Sequence, residues 1–414
     1  MSSRSRVAPI MIQNKTLLFI HQNFPGQFLH LCRALGEKNR LFFLTKPTRN
    51  RLPGVRLVEY SLHRAPNPEI HNYLRTTEDA ILHGQAVARL LLQMQKENVR
   101  PDIIIGHSGW GETQFVKDIF PDVPLLSYIE FYYSAVGADV GFDPEYPSQP
   151  ELKFQLRCRN QVILSCLEAT DYGLSPTRWQ HSRIPQIFQP KVKVIHDGVD
   201  TDQLVPSDAP SVTLDGRTYD KSAPVVTYVA RNIEPYRGSH IFFRAVNRIL
   251  EKVPEARVVI VGGDSVSYGQ RLPEGETYKA RFLKENPLDE SRVHFVGRVE
   301  YDDFKKLLQV SDAHVYLTYP FVLSWSMLES MSTECLLIGS RTAPVEEVVR
   351  HGENGLLVDF FDPKELAETV VEALRQPEKY REMRREARRT IVRDYDLKRV
   401  CLPAQLNLIG RMLG

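Results

Sequence analysis

Cysteine is scarce in this chain, with five in 414 residues: Cys32, Cys158, Cys166, Cys335 and Cys401. They are scattered and form no Cys-x-x-Cys pair, which favours buried thiols in a reducing cytoplasm over a disulfide framework or a zinc site. Long apolar runs are also missing. Stretches such as Leu17–Ile20 and Leu90–Leu92 fall far short of the roughly 20 residues that a bilayer span requires. The Met1–Arg6 start is basic, but no apolar region or small-residue cleavage site follows it, so no secretory signal is expected. Gly-x-Gly-x-x-Gly is absent after the first strand, and Gly262-Gly263-Asp264 does not replace it, which argues against a dinucleotide-dependent dehydrogenase. No Gly-x-Ser-x-Gly elbow offers a serine hydrolase nucleophile. Repeats and low-complexity tracts are absent too. What remains, 42% hydrophobic and 25% charged, is an ordinary globular composition long enough for two or three domains.

The net charge of +2 hides an asymmetry. Residues 1–100 carry 15 Lys+Arg against 6 Asp+Glu, residues 101–200 carry 8 against 13, and the rest 30 against 32. Arg33, Lys38, Arg40, Lys46, Arg49, Arg51, Arg56 and Arg64 supply much of the basic excess. Such a face suits an anionic lipid surface or a phosphate-bearing acceptor, and equally a solvated face balanced by acids elsewhere. Aromatics do not interleave with these basic residues, so no nucleic-acid partner is expected.

Short apolar runs alternate with helical patterns along the whole length. Strands are expected at Thr16–Ile20, Leu41–Thr45, Val55–Tyr60, Ile103–Ile105, Leu125–Tyr128, Tyr172–Leu174 and Val192–Ile195. A second set follows at Val225–Ala230, Ala256–Val261, Val293–Val296, Ala313–Leu317, Leu336–Ile338 and Leu356–Val358. Helices are expected over Glu78–Glu97, His240–Val253, Asp302–Val310, Met327–Ser332 and Pro363–Leu374. Alternation of this kind, with strands almost continuously apolar, predicts an α/β class with parallel sheets covered on both faces. A polar, turn-rich stretch over residues 201–222 reads as linker or insertion between two doubly wound domains. The expected division is 1–200, 201–395 and a C-terminal helix at 396–414 that returns to the first domain. Ligands of such sheets sit at the carboxyl ends of the strands, here in a central cleft.

Two segments stand out chemically. Val225–Gly238 reads as a strand, then Arg231-Asn-Ile-Glu-Pro-Tyr-Arg-Gly, then a helix start. Arg231 and Arg237 offer guanidinium forks for phosphate beside a helix N-terminus, although two arginines in a loop are commonly surface residues. The second segment, residues 314–332, places Glu329 on a helix. Such a carboxylate is commonly a half-exposed helix residue, yet it also suits the vicinal hydroxyls of a ribose.

Taken with Gly262-Gly263, Val296-Gly297-Arg298, the Ser326–Ser332 helix and Ala343–Val348 through Gly352–Val358, these segments resemble, in order, the nucleotide-binding half of a family 4 glycosyltransferase of the GT-B fold. The resemblance covers residues 190–375 well and the first domain in outline. It implies that Arg231 and Arg237 neutralise a donor diphosphate and that Glu329 holds the ribose. The backbone at Gly297, Arg298 and Val299 would face the base, and Gly26 within Pro25-Gly26-Gln27 would approach phosphate and acceptor. Gly263 belongs to the same donor set.

Two departures accompany the resemblance. Phe321 stands where the first glutamate of the family's Glu-x7-Glu pair belongs, with Ser324 and Ser326 as alternative hydroxyl contacts for the donor sugar. Glu130 stands near a position where the family often has histidine, as an acceptor-side group or as a structural residue paired with an arginine. His107, ending a buried strand, is either a further catalytic candidate or a structural residue.

The function implied is retaining, metal-independent transfer from a nucleotide diphosphate sugar to a glycan or lipid-linked acceptor, with no cofactor. The expected location is cytoplasmic, with peripheral contact at the inner membrane face through the basic first domain. A nucleotide-sugar 2-epimerase and an inactive GT-B scaffold are the rivals. Asp200-Thr-Asp202 and Asp394-Tyr-Asp396 spell a metal-binding pattern of other glycosyltransferases, but lie in a domain-closing segment and a basic helix, and read as incidental.

Overall fold

The structure, a computed structural model, describes residues 11–414; the basic Met1–Arg6 start lies outside them. The chain divides into two compact units. The first comprises residues up to Val136, Ser148–Gly198 and Leu397–Gly414; the second comprises Gly137–Pro147 and Val199–Asp396.

In the first unit the strands are β1 (Thr16–Ile20), β2 (Arg40–Thr45), β3 (Val55–Glu59), β4 (Ile103–His107), β5 (Leu125–Tyr128), β6 (Tyr172–Ser175) and β7 (Val192–Val194). They form one parallel sheet in the order β3-β2-β1-β4-β5-β6-β7. Its helices are α1 (Leu29–Leu35), α2 (Arg75–Lys96), α3 (Val116–Ile119), α4 (Leu152–Ala169) and α5 (Arg178–Arg183). Alternate residues of β1 enter opposite cores: Leu17 and Phe19 join Leu31 and Leu35 of α1, whereas Leu18 and Ile20 join Val87 and Leu91 of α2. Both faces are thus dry, which explains why these strands read as unbroken apolar runs.

The second unit carries a parallel sheet in the order β12-β11-β10-β13-β14-β15. It is preceded by a hairpin of β8 (Val212–Leu214) and β9 (Arg217–Tyr219). The sheet strands are β10 (Val225–Asn232), β11 (Arg257–Gly263), β12 (Val293–Phe295), β13 (Ala313–Tyr316), β14 (Leu336–Ser340) and β15 (Leu356–Val358). Helices α6 (Ser239–Lys252), α7 (Tyr278–Glu285), α8 (Tyr301–Val310), α9 (Trp325–Ser332), α10 (Ala343–Glu346), α11 (Pro363–Arg375) and α12 (Arg381–Asp394) surround it. Last comes α13 (Leu402–Met412), which returns to the first unit and buries Leu408 and Ile409 against Phe19, Phe28 and Leu31.

Two features depart from the sequence reading. The stretch read as linker contains the β8–β9 hairpin, whose Val212, Leu214 and Tyr219 join the core of Val225, Val259 and Leu307. Its turn residues Asp215 and Gly216 both have positive φ, 47° and 75°, as a two-residue I′ turn requires. Residues 137–147, grouped by sequence with the first 200, pack instead with the second unit. Tyr236 donates to Asp139 at 2.8 Å, Tyr319 to Asp143 at 2.6 Å, and Arg244 forks onto Glu145 at 2.5 and 2.6 Å. All five cysteines are free thiols and four are buried. Among the described residues, no helix is long and apolar enough to cross a membrane.

Candidate active site

In each sheet the strand order reverses once, between β1 and β4 in the first unit and between β10 and β13 in the second. Crevices at the carboxyl ends of strands flanking such a reversal are where open α/β sheets hold ligands.

In the second unit Arg231 is the penultimate residue of β10 and is exposed, whereas Arg237, one short turn later, is buried. Nη1 of Arg237 donates to the Tyr316 hydroxyl at 3.1 Å and to Thr318 Oγ1 at 2.8 Å. Its guanidinium carbon lies 5.4 Å from the centre of the Tyr268 ring. Gly238 has φ +65°, and a Cβ there would meet Leu317 at 2.5 Å, so only glycine admits this approach to the sheet. The Tyr316 hydroxyl also accepts the Ser324 amide at 2.7 Å, fixing the entry to α9. Ser324 and Ser326 bond each other through their hydroxyls at 3.1 Å, and Ser326 is buried.

Glu329 lies one turn into α9, 9% exposed, and accepts the Tyr301 hydroxyl at 2.8 Å. Burial pushes its carboxyl up to about 7, against the opposing pull of Tyr301. Gly263 sits at the end of β11, where a Cβ would meet Asn232 Oδ1 at 2.6 Å and Arg298 Nε at 3.5 Å. Arg298 is exposed and Val299 packs partly into the core beside β11.

Phe321 is buried against Tyr268 and Tyr236, with ring centres 5.0 and 5.6 Å away. An aromatic group therefore stands where the resemblance expects a carboxylate. Glu234, which no sequence pattern distinguishes, is fully buried and accepts the amides of Ser267, Tyr268 and Gly269 at 3.2, 3.0 and 2.8 Å. It fastens the loop after β11, and with it Tyr268, over Arg237.

The acids of the two Asp-x-Asp patterns are engaged locally. Thr201 donates to Asp396, Arg393 pairs with Asp394 at 2.7 Å, and Asp200 accepts the Asp202 amide at 3.2 Å. One other group, Asp143, Glu145 and His240, brings its ligand atoms within 4.8 Å of one another. Its members are occupied as a docking contact: His240 Nε2 lies 3.1 Å from Asp143, and Glu145 takes the Arg244 fork.

At the first unit's reversal stand His21, just past β1, and His107, the last residue of β4, with ring centres 4.8 Å apart. Glu130 follows β5; Gln27 Nε2 donates to its Oε1 at 3.0 Å, and His107 Nε2 lies 3.6 Å from its Oε2. No arginine pairs with Glu130 among the described contacts. Burial alone would raise the Glu130 carboxyl, but His107 and Gln27 hold it below the usual range. Gly26 has φ +52°, and a Cβ there would lie 3.0 Å from the His21 ring, so this glycine serves the turn around His21. Sequence reasoning missed His21; its one available signal was its place at the end of the strand where the sheet order reverses.

Comparison with known proteins decides the family. Residues 37–204 match the description "Glycosyl transferase family 4 group", and residues 217–390 match "Glycosyl transferases group 1". The chain belongs to the family 4 glycosyltransferases. Among curated relatives, a D-inositol 3-phosphate glycosyltransferase from Nocardioides is 27% identical over 233 residues, 53% of this chain and 49% of that protein. Spore coat protein SA of Bacillus subtilis is 26% identical over 178 residues, 42% of this chain and 46% of its own length. The chain spans about half the length of the curated relatives it matches.

Among solved structures, a sucrose-phosphate synthase from Thermosynechococcus elongatus aligns over 97% of this chain and 99% of its own, with TM-score 0.70 and 16% identity. HepE of Anabaena in complex with UDP aligns over 96% and 99%, with TM-score 0.64 and 16% identity. These likenesses establish the GT-B fold of this chain: two Rossmann-like α/β domains.

Proposed function

We propose that the protein moves a sugar from a nucleotide diphosphate sugar to a hydroxyl of a glycan or lipid-linked acceptor, with retention of anomeric configuration and without a metal. The second unit binds the donor and the first the acceptor. The observation that carries this reading is that Arg237 and Glu329, both buried, follow β10 and β13, the two strands that flank the second unit's reversal. A desolvated guanidinium beside exposed Arg231 suits a diphosphate. A buried carboxyl that accepts the Tyr301 hydroxyl and keeps further lone pairs suits the two hydroxyls of a ribose. A solved structural neighbour, HepE, has been crystallised with UDP-glucose, which supports a donor of this class.

In the reaction the bond from the sugar's anomeric carbon to the diphosphate oxygen breaks, and the electron pair leaves with the diphosphate. Arg231 and Arg237 stabilise that charge as it develops. The acceptor oxygen bonds to the anomeric carbon from the same face, and its proton passes to the departing phosphate. Positioning and charge stabilisation carry most of the work, with no covalent intermediate on the protein. The reading places the protein in the cytoplasm, with the basic first hundred residues suited to an anionic membrane face.

The test is a thermal-shift screen of nucleoside diphosphates and their sugars, followed by turnover of a radiolabelled donor. A ligand bound only by the native state raises the melting temperature. Label moved to an acceptor supports transfer; label altered but still on the nucleotide indicates epimerisation. Binding without turnover indicates a scaffold. Activity should persist in chelator, and loss there would contradict the metal-free reading.

A further inference from the structure

Gly137–Pro147 lies in the sequence between β5 and α4 of the first sheet, yet it packs with the second unit. Its grip there is chemically specific. Arg244 forks onto Glu145 at 2.5 and 2.6 Å, and Phe142 sits against Tyr319, Phe360 and Phe361 with ring centres 5.1, 5.2 and 5.0 Å away. Asp143 is fully buried, 3.1 Å from His240 Nε2, and accepts the Glu145 amide at 2.9 Å. Burial alone would raise its carboxyl, but His240, the Tyr319 hydroxyl and the Glu145 amide hold it below the usual range, so it is an ionised acceptor. Burial and that carboxylate push the Tyr319 hydroxyl far up, so it keeps its proton and donates.

Two contacts of the segment end on tyrosines. Tyr236 donates to Asp139 at 2.8 Å and Tyr319 to Asp143 at 2.6 Å, and the two rings stack with centres 4.6 Å apart. The backbone joins them too, since the Tyr319 amide donates to the Tyr236 carbonyl at 3.0 Å. From this pair the aromatic contacts run on to the cationic group. Tyr236 meets Phe321 edge-on at 5.6 Å and Tyr268 at 6.1 Å, and Tyr268 lies 5.4 Å from the guanidinium carbon of Arg237. Arg237 also follows Tyr236 directly in the chain, within the same short turn. Where the Tyr236 ring is held thus sets both the turn that carries Arg237 and the rings that keep water from it. A guanidinium shielded in this way binds an anion more strongly, because less solvent screens its charge.

We propose that Asp139 and Asp143 are positioning residues for the donor diphosphate: through the hydroxyls of Tyr236 and Tyr319 they fix the aromatic wall that shields Arg237. Neither acid touches the ligand, and Gly137–Pro147 becomes a working part of the donor half. The proposal rests on the glycosyl-transfer reading above, which assigns Arg237 to the diphosphate.

UDP, GDP, ADP, CDP and dTDP are titrated into the intact protein by calorimetry, and the tightest binder is carried forward. Asp139→Asn, Tyr236→Phe and their double variant form one cycle; Asp143→Asn, Tyr319→Phe and their double variant form a second. Each single variant should weaken binding about fivefold, less than the tenfold or more expected when a hydrogen bond to a charge is lost directly. Each double variant should bind no more weakly than the poorer of its singles, because both changes remove the same contact. Glu145→Gln loosens the segment at Arg244 without touching either tyrosine, and should leave affinity within about twofold. Should burial of Asp143 keep its variants from folding, the Asp139 cycle, built on a half-buried tyrosine, decides alone. Additive losses within a cycle, or an equal loss in Glu145→Gln, mean that the segment is only a structural clamp and overturn the positioning roles. Unchanged affinity in every single variant overturns them as well, and in all three cases the donor reading stands. Failure of all five nucleoside diphosphates to bind overturns the donor reading itself.

Discussion

The two units share one scheme, a parallel sheet whose order reverses beside its first long strand, yet their reversals are furnished with opposite chemistry. The first presents two imidazoles, an amide and a carboxylate. The second presents guanidinium groups, a ring of tyrosines and a buried carboxyl. The fold supplies the place, and the side chains at the strand ends supply the chemistry. Guanidinium forks held in place by hydroxyls and aromatic rings suit the anionic oxygens of a diphosphate. A carboxylate held by an amide beside two imidazoles suits hydroxyls. The difference also predicts which unit each substitution should silence.

The largest expected effect is on the cationic side. Arg231→Ala should lower turnover by about 10²–10³-fold, the usual loss when one donor to developing charge is removed. Arg231 is exposed, so its variant should melt as the wild type does. Arg237 is a poorer probe, because it is buried and bonded to Tyr316 and Thr318, and its removal leaves both without that partner. Wild-type turnover in Arg231→Ala would break the comparison on that side.

Glu329 comes next, and its sign is specific. Its carboxyl stands near 7 in the folded chain against 4.5 when unfolded. Below pH 4.5 both states hold the proton and Glu329 costs nothing. Between 4.5 and 7 the unfolded chain releases its proton while the folded one keeps it, so stability falls as pH rises. Above 7 the deficit is constant, at up to about 3 kcal/mol. Glu329→Gln should therefore be no more stable than wild type at pH 4.5 and more stable at pH 8, by urea denaturation, while binding UDP more weakly. Parallel pH–stability curves for the two proteins would mean that the carboxyl is ionised and well solvated, and the ribose assignment would lose its physical basis.

Much of this was legible in the sequence because dry strands announce themselves: Leu17–Ile20 and Ile103–Ile105 are apolar on both faces, and no solvated strand could be. The four helices expected in the second unit with stated bounds appear within a residue or two of them, as with Pro363, held in the first turn of α11 behind the Asp362 cap, whereas α7 and α10 were not anticipated. Arg237 and Glu329 were visible as members of an ordered set of motifs. Glu234 was not, since its partners are backbone amides 33 to 35 residues away, and amides leave no mark on a sequence. His21 was hidden for a related reason: one histidine after a strand has no periodicity, and its meaning depends on a strand order that only folding creates. The hairpin over residues 212–219 was overlooked although Asp215-Gly216 is a strong local turn signal, because the polar stretch around it reads as linker.

That hairpin gives the smallest expected effect. Among the described residues only the second unit carries such an addition, and it buries Tyr219 completely, with the hydroxyl 2.7 Å from His294. Gly216 at φ +75° has open space where a Cβ would go. Gly216→Ala therefore costs only the strain of a left-handed backbone, about 1 kcal/mol, with no clash to add. A melting temperature lower by about 2–4 °C is expected for a unit of this size. An unchanged melting temperature would show that the turn relaxes to another type without loss; a fall much beyond that range would mean that the hairpin holds more of the second unit's core than Val212, Leu214 and Tyr219 account for.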